Sequence, residues 1–187
     1  MLVKICGIRR IEDIEYVNIL KPDYIGFVFA ESKRKITILE SITLKERLNN
    51  DIKIVGVFRN NDINFVKKII DLDIIDIIQL HGNESDEYIK ELKSYTKKEI
   101  ILAYRDSKYV DYILYDNINP GSGNTFDWNI IKRDKKFILA GGININNLDE
   151  AIKINPYIID VSTGVEENGY KDFDKMKEFI RRCRDYE

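Results

Sequence analysis

A single compact (β/α)8 TIM barrel spanning residues 1–187 is the fold the sequence predicts, and three observations predict it. Eight short runs rich in β-branched and aromatic residues recur along the chain. Amphipathic helical patterns lie between most of them, and seven of the ten glycines follow the C-terminal end of a run. Alternating strands and helices imply a parallel sheet. Eight units in 187 residues average about 23 residues each, in a chain just under the roughly 200-residue floor usual for this barrel. An open doubly wound sheet is the rival, but it rarely needs eight strands in so short a chain.

Each element has its own warrant. The strands are read at Leu2–Cys6, Tyr24–Phe29, Lys53–Phe58, Ile74–Leu80, Glu99–Tyr104, Tyr112–Tyr115, Phe137–Ala140 and Ile158–Val161. Their shortness and their β-branched and aromatic content favour strand over helix. Several are continuously apolar, as parallel strands buried on both faces are. The first helix, Ile11–Leu20, opens with Glu12 and Asp13, which suit a helix N-terminus. Thr37-Ile-Leu-Glu40 reads as a capping box ahead of Ile42–Leu48. Asn61 or Asp62 can cap Ile63–Leu72, where Phe65, Ile69 and Leu72 share a face. Asn83–Tyr95, Asn146–Ile154 and Asp172–Cys183 follow the same pattern, and Asp127 and Trp128 are expected to start the helix after the sixth strand, with Trp128 packed on the barrel. Pro22 and Pro156 fall where helices must stop. Between Tyr104 and Tyr112 only seven residues remain, whereas a parallel crossover needs about a dozen. The helix between strands 5 and 6 is therefore expected to be missing or reduced to a turn.

Composition narrows the function. The 30 Lys and Arg nearly balance the 32 Asp and Glu, for a formal net charge of −2, so no nucleic-acid footprint is expected. Two cysteines make no disulfide scaffold and point to a reducing compartment. No apolar run approaches the roughly 18 residues of a membrane span, and the N-terminus lacks a secretory pattern. A cytoplasmic protein with no membrane partner is expected, as monomer or homodimer. One histidine and two distant cysteines match no zinc pattern, and neither a P-loop nor a dinucleotide fingerprint occurs. No cofactor and no metal are expected.

The strand-end glycines are Gly7, Gly82, Gly121, Gly123, Gly141, Gly142 and Gly164; Gly26 and Gly56 lie inside strands, where they would relieve crowding. Glycine permits positive φ and close approach of backbone to ligand, and the C-terminal strand ends carry the active site of a barrel. Leu139-Ala-Gly-Gly142 and Val161-Ser-Thr-Gly164, after strands seven and eight, suit a phosphate held by backbone N–H groups. Cys6 ends the first strand, where a thiol can be tuned to act as a base. Asp116 closes the sixth strand, where partial burial would favour a proton-holding carboxyl. Arg34, in the loop after the second strand, suits a carboxylate contact. His81, after the fourth strand, is expected to line the pocket rather than move protons. Cys183 is read as an inert buried thiol.

At this point the chain resembles the phosphoribosylanthranilate isomerase family. The segments that carry the likeness are Lys4-Ile-Cys-Gly-Ile8, Asp23-Tyr-Ile-Gly-Phe-Val-Phe29, Ser32-Lys-Arg34, Val55-Gly-Val-Phe58, Gln79-Leu-His-Gly82, Gly121-Ser-Gly123 with Thr125-Phe-Asp-Trp128, Ala140-Gly-Gly142 and Asp160-Val-Ser-Thr-Gly-Val-Glu166. The resemblance implies a cofactor-free Amadori rearrangement in tryptophan biosynthesis, turning N-(5-phosphoribosyl)anthranilate into 1-(2-carboxyphenylamino)-1-deoxyribulose 5-phosphate. It implies Cys6 as general base, Asp116 as general acid and Arg34 on the anthranilate carboxylate. It also implies that Gly141, Gly142, Thr163 and Gly164 hold the phosphate. Two departures stand out. The run from Asp116 to Gly121 is shorter than is usual, and Arg9 and Arg10 stand where a small hydroxyl residue often caps the first helix. Related phosphosugar barrels are the rivals, but a synthase of that kind calls for a strand-end lysine acid that is not obvious here. A phosphate-metabolite binding barrel would leave Cys6 and Asp116 without purpose.

Overall fold

Eight strands, β1 (Leu2–Cys6), β2 (Tyr24–Val28), β3 (Lys53–Phe58), β4 (Ile77–Leu80), β5 (Glu99–Ala103), β6 (Tyr112–Tyr115), β7 (Phe137–Leu139) and β8 (Ile158–Val161), close into a barrel in sequence order. The computed structural model describes residues 1–117, 123–132 and 136–186. Every neighbouring pair is parallel. Closure runs through β8 and β1, where Lys4 pairs with Asp160. Side chains alternate across each strand. One set, including Ile5, Phe27, Phe58, Ile78, Leu102 and Ile159, forms the layer under the helices. The other set faces the barrel interior, where Tyr24, Val55, Ile77, Ile101, Leu114, Ile138 and Ile158 form a second apolar cluster.

The helices are α1 (Ile11–Leu20), α2 (Ile38–Lys45), α3 (Ile63–Asp71), α4 (Asp86–Tyr95), α5 (Leu148–Lys153) and α6 (Phe173–Arg184). Between β8 and α6 lies a small antiparallel hairpin, β9 (Glu166–Glu167) and β10 (Tyr170–Lys171). Local chemistry explains the starts. At α1 no side chain of the capping residue serves. Instead the buried Asp13 carboxylate reaches back to the amides of Arg9 and Arg10 at 3.0 and 3.1 Å. The Thr37–Glu40 box is formed, with Glu40 Oε2 accepting from the Thr37 amide at 2.7 Å. The helix therefore begins at Ile38, four residues earlier than expected. Ser85 and Asp172 cap α4 and α6.

No helix separates β5 from β6. Tyr104 leaves β5 with φ of 69°, the buried Ser107 follows, and Tyr109 and Val110 cover the strands where a helix would lie. Two expectations are corrected. The fourth strand begins at Ile77, because Ile74 and Ile75 are buried in the connection from α3 and belong to the outer layer. The segment from Trp128 forms one 3-10 turn, Trp128–Ile130, with Asp127 accepting from the Asn129 amide at 3.0 Å. Trp128 does pack on the outer core.

Candidate active site

The C-terminal ends of the strands surround one cavity. Cys6, Arg34, His81, Asp116, Gly141, Gly142 and Thr163 all line it, together with Gln79, Asp160, Ser162 and Gly123. Seven of the eight residues singled out from the sequence thus meet in one place. Gly164 does not line the cavity. A Cβ there would lie 2.0 Å from the Ile143 carbonyl oxygen, so this glycine lets the loops after β7 and β8 touch. Gly121 and the run 118–122 lie outside the described residues.

Two glycines make room for the candidate acid and base. A Cβ on Gly26 would sit 2.6 Å from Cys6 Sγ, and one on Gly141 would sit 2.7 Å from Asp116 Oδ1. Cys6 is at the end of β1 and Asp116 just past β6. The two strands are separated by β7 and β8 on one side and by four strands on the other. The thiol and the carboxyl therefore approach the cavity from different walls. The second glycine loop is tied down by side chains: Asn144 and Asn147 each donate to the Gly142 carbonyl at 3.0 Å. Gly141 and Gly142 hold φ of +84° and +65°, a region where a side chain would be strained.

Arg34 is built in rather than free. Its Nε and one terminal nitrogen donate to the two Glu166 oxygens, both at 2.7 Å. Lys171 donates to the same carboxylate at 2.7 Å and to the Ser162 carbonyl at 2.9 Å. Gly7, with φ of 84°, lets the Arg34 stem pass, since a Cβ there would lie 2.3 Å from Arg34 Cδ. Burial would push the Glu166 carboxyl up, but Arg34 and Lys171 outweigh it and hold it below the usual range. Burial lowers the Lys171 ammonium despite that carboxylate.

The cavity floor includes a polar layer that the sequence reading did not assign. Lys4 is fully buried in β1. Its ammonium donates to Asp160 Oδ2 at 2.6 Å and to Gln79 Oε1 at 3.0 Å. Burial works against this charge, but Asp160 and Cys6 together raise its pKa above the usual lysine value. Asp160 Oδ1 is buried and has no partner among the described residues. Burial pushes the Cys6 thiol up, against the opposing pull of Lys4 and Lys171. Gln79 lies 2.9 Å from His81 Nδ1, and His81 Nε2 lies 2.9 Å from the Tyr104 hydroxyl and 3.2 Å from Asp116 Oδ2. Burial, then the Asp116 charge, pushes Tyr104 up to about 12, so it stays a neutral phenol. Its hydroxyl donates to the Asn117 carbonyl at 3.3 Å. The signal for this layer was present. Lys4, Gln79 and Asp160 each interrupt an apolar strand, and such a residue is costly to bury unless paired. Glu166 and Lys171 carried no comparable signal.

Cavity, paired carboxyl and thiol, and glycine loops together suit acid–base chemistry on a small anionic ligand. A family model described as N-(5'phosphoribosyl)anthranilate (PRA) isomerase matches residues 3–182. An N-(5'-phosphoribosyl)anthranilate isomerase of Thermoanaerobacter sp. is 46% identical, with 97% of each chain covered. One of Clostridium acetobutylicum is 44% identical, with 98% of each covered. The crystal structure of phosphoribosyl anthranilate isomerase from Thermus thermophilus superposes with a TM-score of 0.91 at 30% identity over 100% of both chains. A phosphoribosyl anthranilate isomerase solved in complex with reduced 1-(o-carboxyphenylamino)-1-deoxyribulose 5-phosphate gives a TM-score of 0.85 at 30% identity, covering 99% of this chain and 100% of that one. This chain belongs to the N-(5'-phosphoribosyl)anthranilate isomerase family.

Proposed function

We propose that the chain carries out the Amadori rearrangement of N-(5-phosphoribosyl)anthranilate with Asp116 as general acid and Cys6 as general base. The observation that carries this reading is the cavity shared by the Cys6 thiol and the Asp116 carboxyl, which line it from separate walls beside the glycine loop after β7. Asp116 gives its proton to the ribose ring oxygen, the C1–O bond breaks, and the anilino nitrogen supplies the electrons of the resulting iminium. The Cys6 thiolate takes the proton from C2, and the C–H electrons form the C1–C2 double bond of an enolamine. That species tautomerises to the ketone, with no net gain or loss of atoms.

The substrate's two anionic ends need two anchors. Arg34 keeps donor hydrogens beyond those given to Glu166, and these suit the anthranilate carboxylate. The amides around Gly141, Gly142 and Thr163 suit the phosphate, with Gly164 fixing the loop that presents Thr163. Asp160 Oδ1 offers a buried acceptor to a sugar hydroxyl. An acid and a base of this kind contribute about 10²–10⁴-fold each, and anchoring at both ends supplies orientation. The test is the loss of fluorescence of freshly prepared anthranilate substrate. Cys6→Ala and Asp116→Asn are expected to lower kcat by about 10²–10⁴-fold while a reduced product analogue still binds. Wild-type protein that leaves the substrate unchanged overturns the reading, and near-normal turnover in either variant overturns that residue's role.

A further inference from the structure

A line of close polar contacts along the cavity floor joins the surroundings of Cys6 to Asp116. Its members are Lys4, Gln79, His81 and Asp116. The donor and acceptor roles along it are forced. An ammonium has hydrogens and no lone pair, so the Gln79 atom 3.0 Å from Lys4 Nζ must be the carbonyl oxygen. The Gln79 NH2 group therefore faces His81 Nδ1 at 2.9 Å. Nδ1 must accept, and the ring proton of a neutral imidazole must lie on Nε2. Turning the Gln79 amide over would set its NH2 against the ammonium, donor against donor.

The other side of the ring is compatible with that answer. Nε2 faces the Tyr104 oxygen at 2.9 Å and Asp116 Oδ2 at 3.2 Å. The Tyr104 hydroxyl hydrogen goes to the Asn117 carbonyl, so its oxygen is free to accept from Nε2–H. Tyr104 itself holds a positive φ of 69° to put its ring edge-on to His81, with centroids 5.2 Å apart. Backbone strain of this kind persists where the surroundings enforce it.

We propose that Lys4 and Gln79 are positioning residues that hold His81 as its neutral Nε2–H tautomer, which donates to the Tyr104 oxygen and sets an N–H rather than a bare nitrogen 3.2 Å from Asp116 Oδ2, so that the acid's proton stays directed at the substrate. The inference rests on the assignment of Asp116 as the general acid. With the opposite tautomer, a bare Nε2 would accept the carboxyl proton and sequester it. With Nε2–H in place, Oδ2 faces no proton acceptor on the ring, and Oδ1 receives the Asn117 amide at 2.6 Å. Once the proton has gone to the ring oxygen, the Asn117 amide stabilises the carboxylate left behind. No proton moves along the chain. Its role is to decide which nitrogen carries one.

His81 is the only histidine, so its two nitrogens can be read without ambiguity by NMR of the 15N-histidine-labelled protein. The expected wild-type spectrum at neutral pH has a protonated Nε2 and a bare Nδ1. In Gln79→Glu the new carboxylate accepts from the ring and Nδ1 becomes protonated. In Gln79→Met the tautomer preference relaxes. Both variants are expected to lose roughly tenfold or more in kcat, a part of the about 10²–10⁴-fold that a general acid contributes, with KM changed much less. A wild-type spectrum with Nδ1 protonated overturns the inference and needs no variant to fold. Unchanged kcat in a folded Gln79→Met also overturns it. Full turnover in Asp116→Asn would instead overturn the assignment of the acid, and with it the purpose of the chain, whatever the spectrum shows.

Discussion

Gly26→Ala tests whether the position of the Cys6 sulfur matters, without touching Cys6. The two residues face each other across β1 and β2. A Cβ at 26 would lie 2.6 Å from Sγ and 3.0 Å from the Cys6 Cα. Non-bonded heavy atoms normally rest about 3.5–4.0 Å apart, so the sulfur must shift by roughly 1 Å. The strand cannot yield instead, because β1 is paired on both sides. Overpacking of this kind costs about 1–3 kcal/mol, which for a domain of this size lowers Tm by roughly 2–12 °C. A misplacement of about 1 Å costs on the order of 10²-fold in rate. Gly56→Ala is the matched control. Its Cβ would meet Ile75 Cδ1 at 2.8 Å and Phe58 Cε2 at 3.0 Å, among residues of the outer layer. It is expected to destabilise comparably and to leave kcat within about twofold, since surface and core changes remote from the chemistry act through stability. Substrate fluorescence gives kcat, and thermal melting gives Tm. Equal kcat in the two variants would refute the claim that this sulfur must sit where β1 puts it.

Two further predictions follow from the charges around the cavity. Burial raises the Cys6 pKa, so the thiolate fraction of the free protein should still be growing with pH above about 8.5, the ordinary cysteine value. Alkylation of Cys6 by iodoacetamide, measured with Cys183→Ala to remove the second thiol, is expected to accelerate through that range; a plateau reached by pH 7 would refute it. Arg34 and Lys171 lower the Glu166 pKa against its burial, so this carboxylate adds stability above the unfolded value of about 4.3 and loses it as pH falls through the lower folded value. Glu166→Gln should cost about 1.5–3 kcal/mol at pH 7, the range for hydrogen bonds to charged groups. The difference should shrink in acid, and urea unfolding that shows it unchanged at pH 3 would refute the cluster's contribution.

The fold was legible because its signals are local. Periodicity and punctuation by Gly, Pro and capping residues located all eight strands, and the seven residues between Tyr104 and Tyr112 foretold the absent helix. The start of the fourth strand was misplaced for a physical reason. Ile74 and Ile75 are as apolar as a strand, but their burial is under α3 rather than in the sheet, and composition cannot distinguish the two destinations. The segment at Trp128 reads as a helix start because Asp127 does cap it, yet a cap nucleates a turn whether or not a helix follows.

The site was legible only where one residue announces itself. Cys6, Asp116 and the glycines of 141 and 142 each mark a strand end, and position alone assigns them to the barrel mouth. Arg34 was found for its charge, but its pairing with Glu166 lies 132 positions away and no local pattern encodes it. Lys4, Gln79 and Asp160 fall between these cases. Each could be flagged as a polar residue in an apolar strand, but 4, 79 and 160 meet only once the barrel closes, which pairs β1 with β8 and lets Gln79 of β4 reach Lys4 across the interior. That meeting is obligatory in energetic terms. A buried ion pair stripped of one partner loses about 3–5 kcal/mol, so an interior containing Lys4 requires acceptors at its own height. Asp160 satisfies the charge, and Gln79 accepts one bond while passing a donor on to His81. The orientation of an imidazole beside Asp116 thus follows from how a lysine on the far side of the barrel is neutralised.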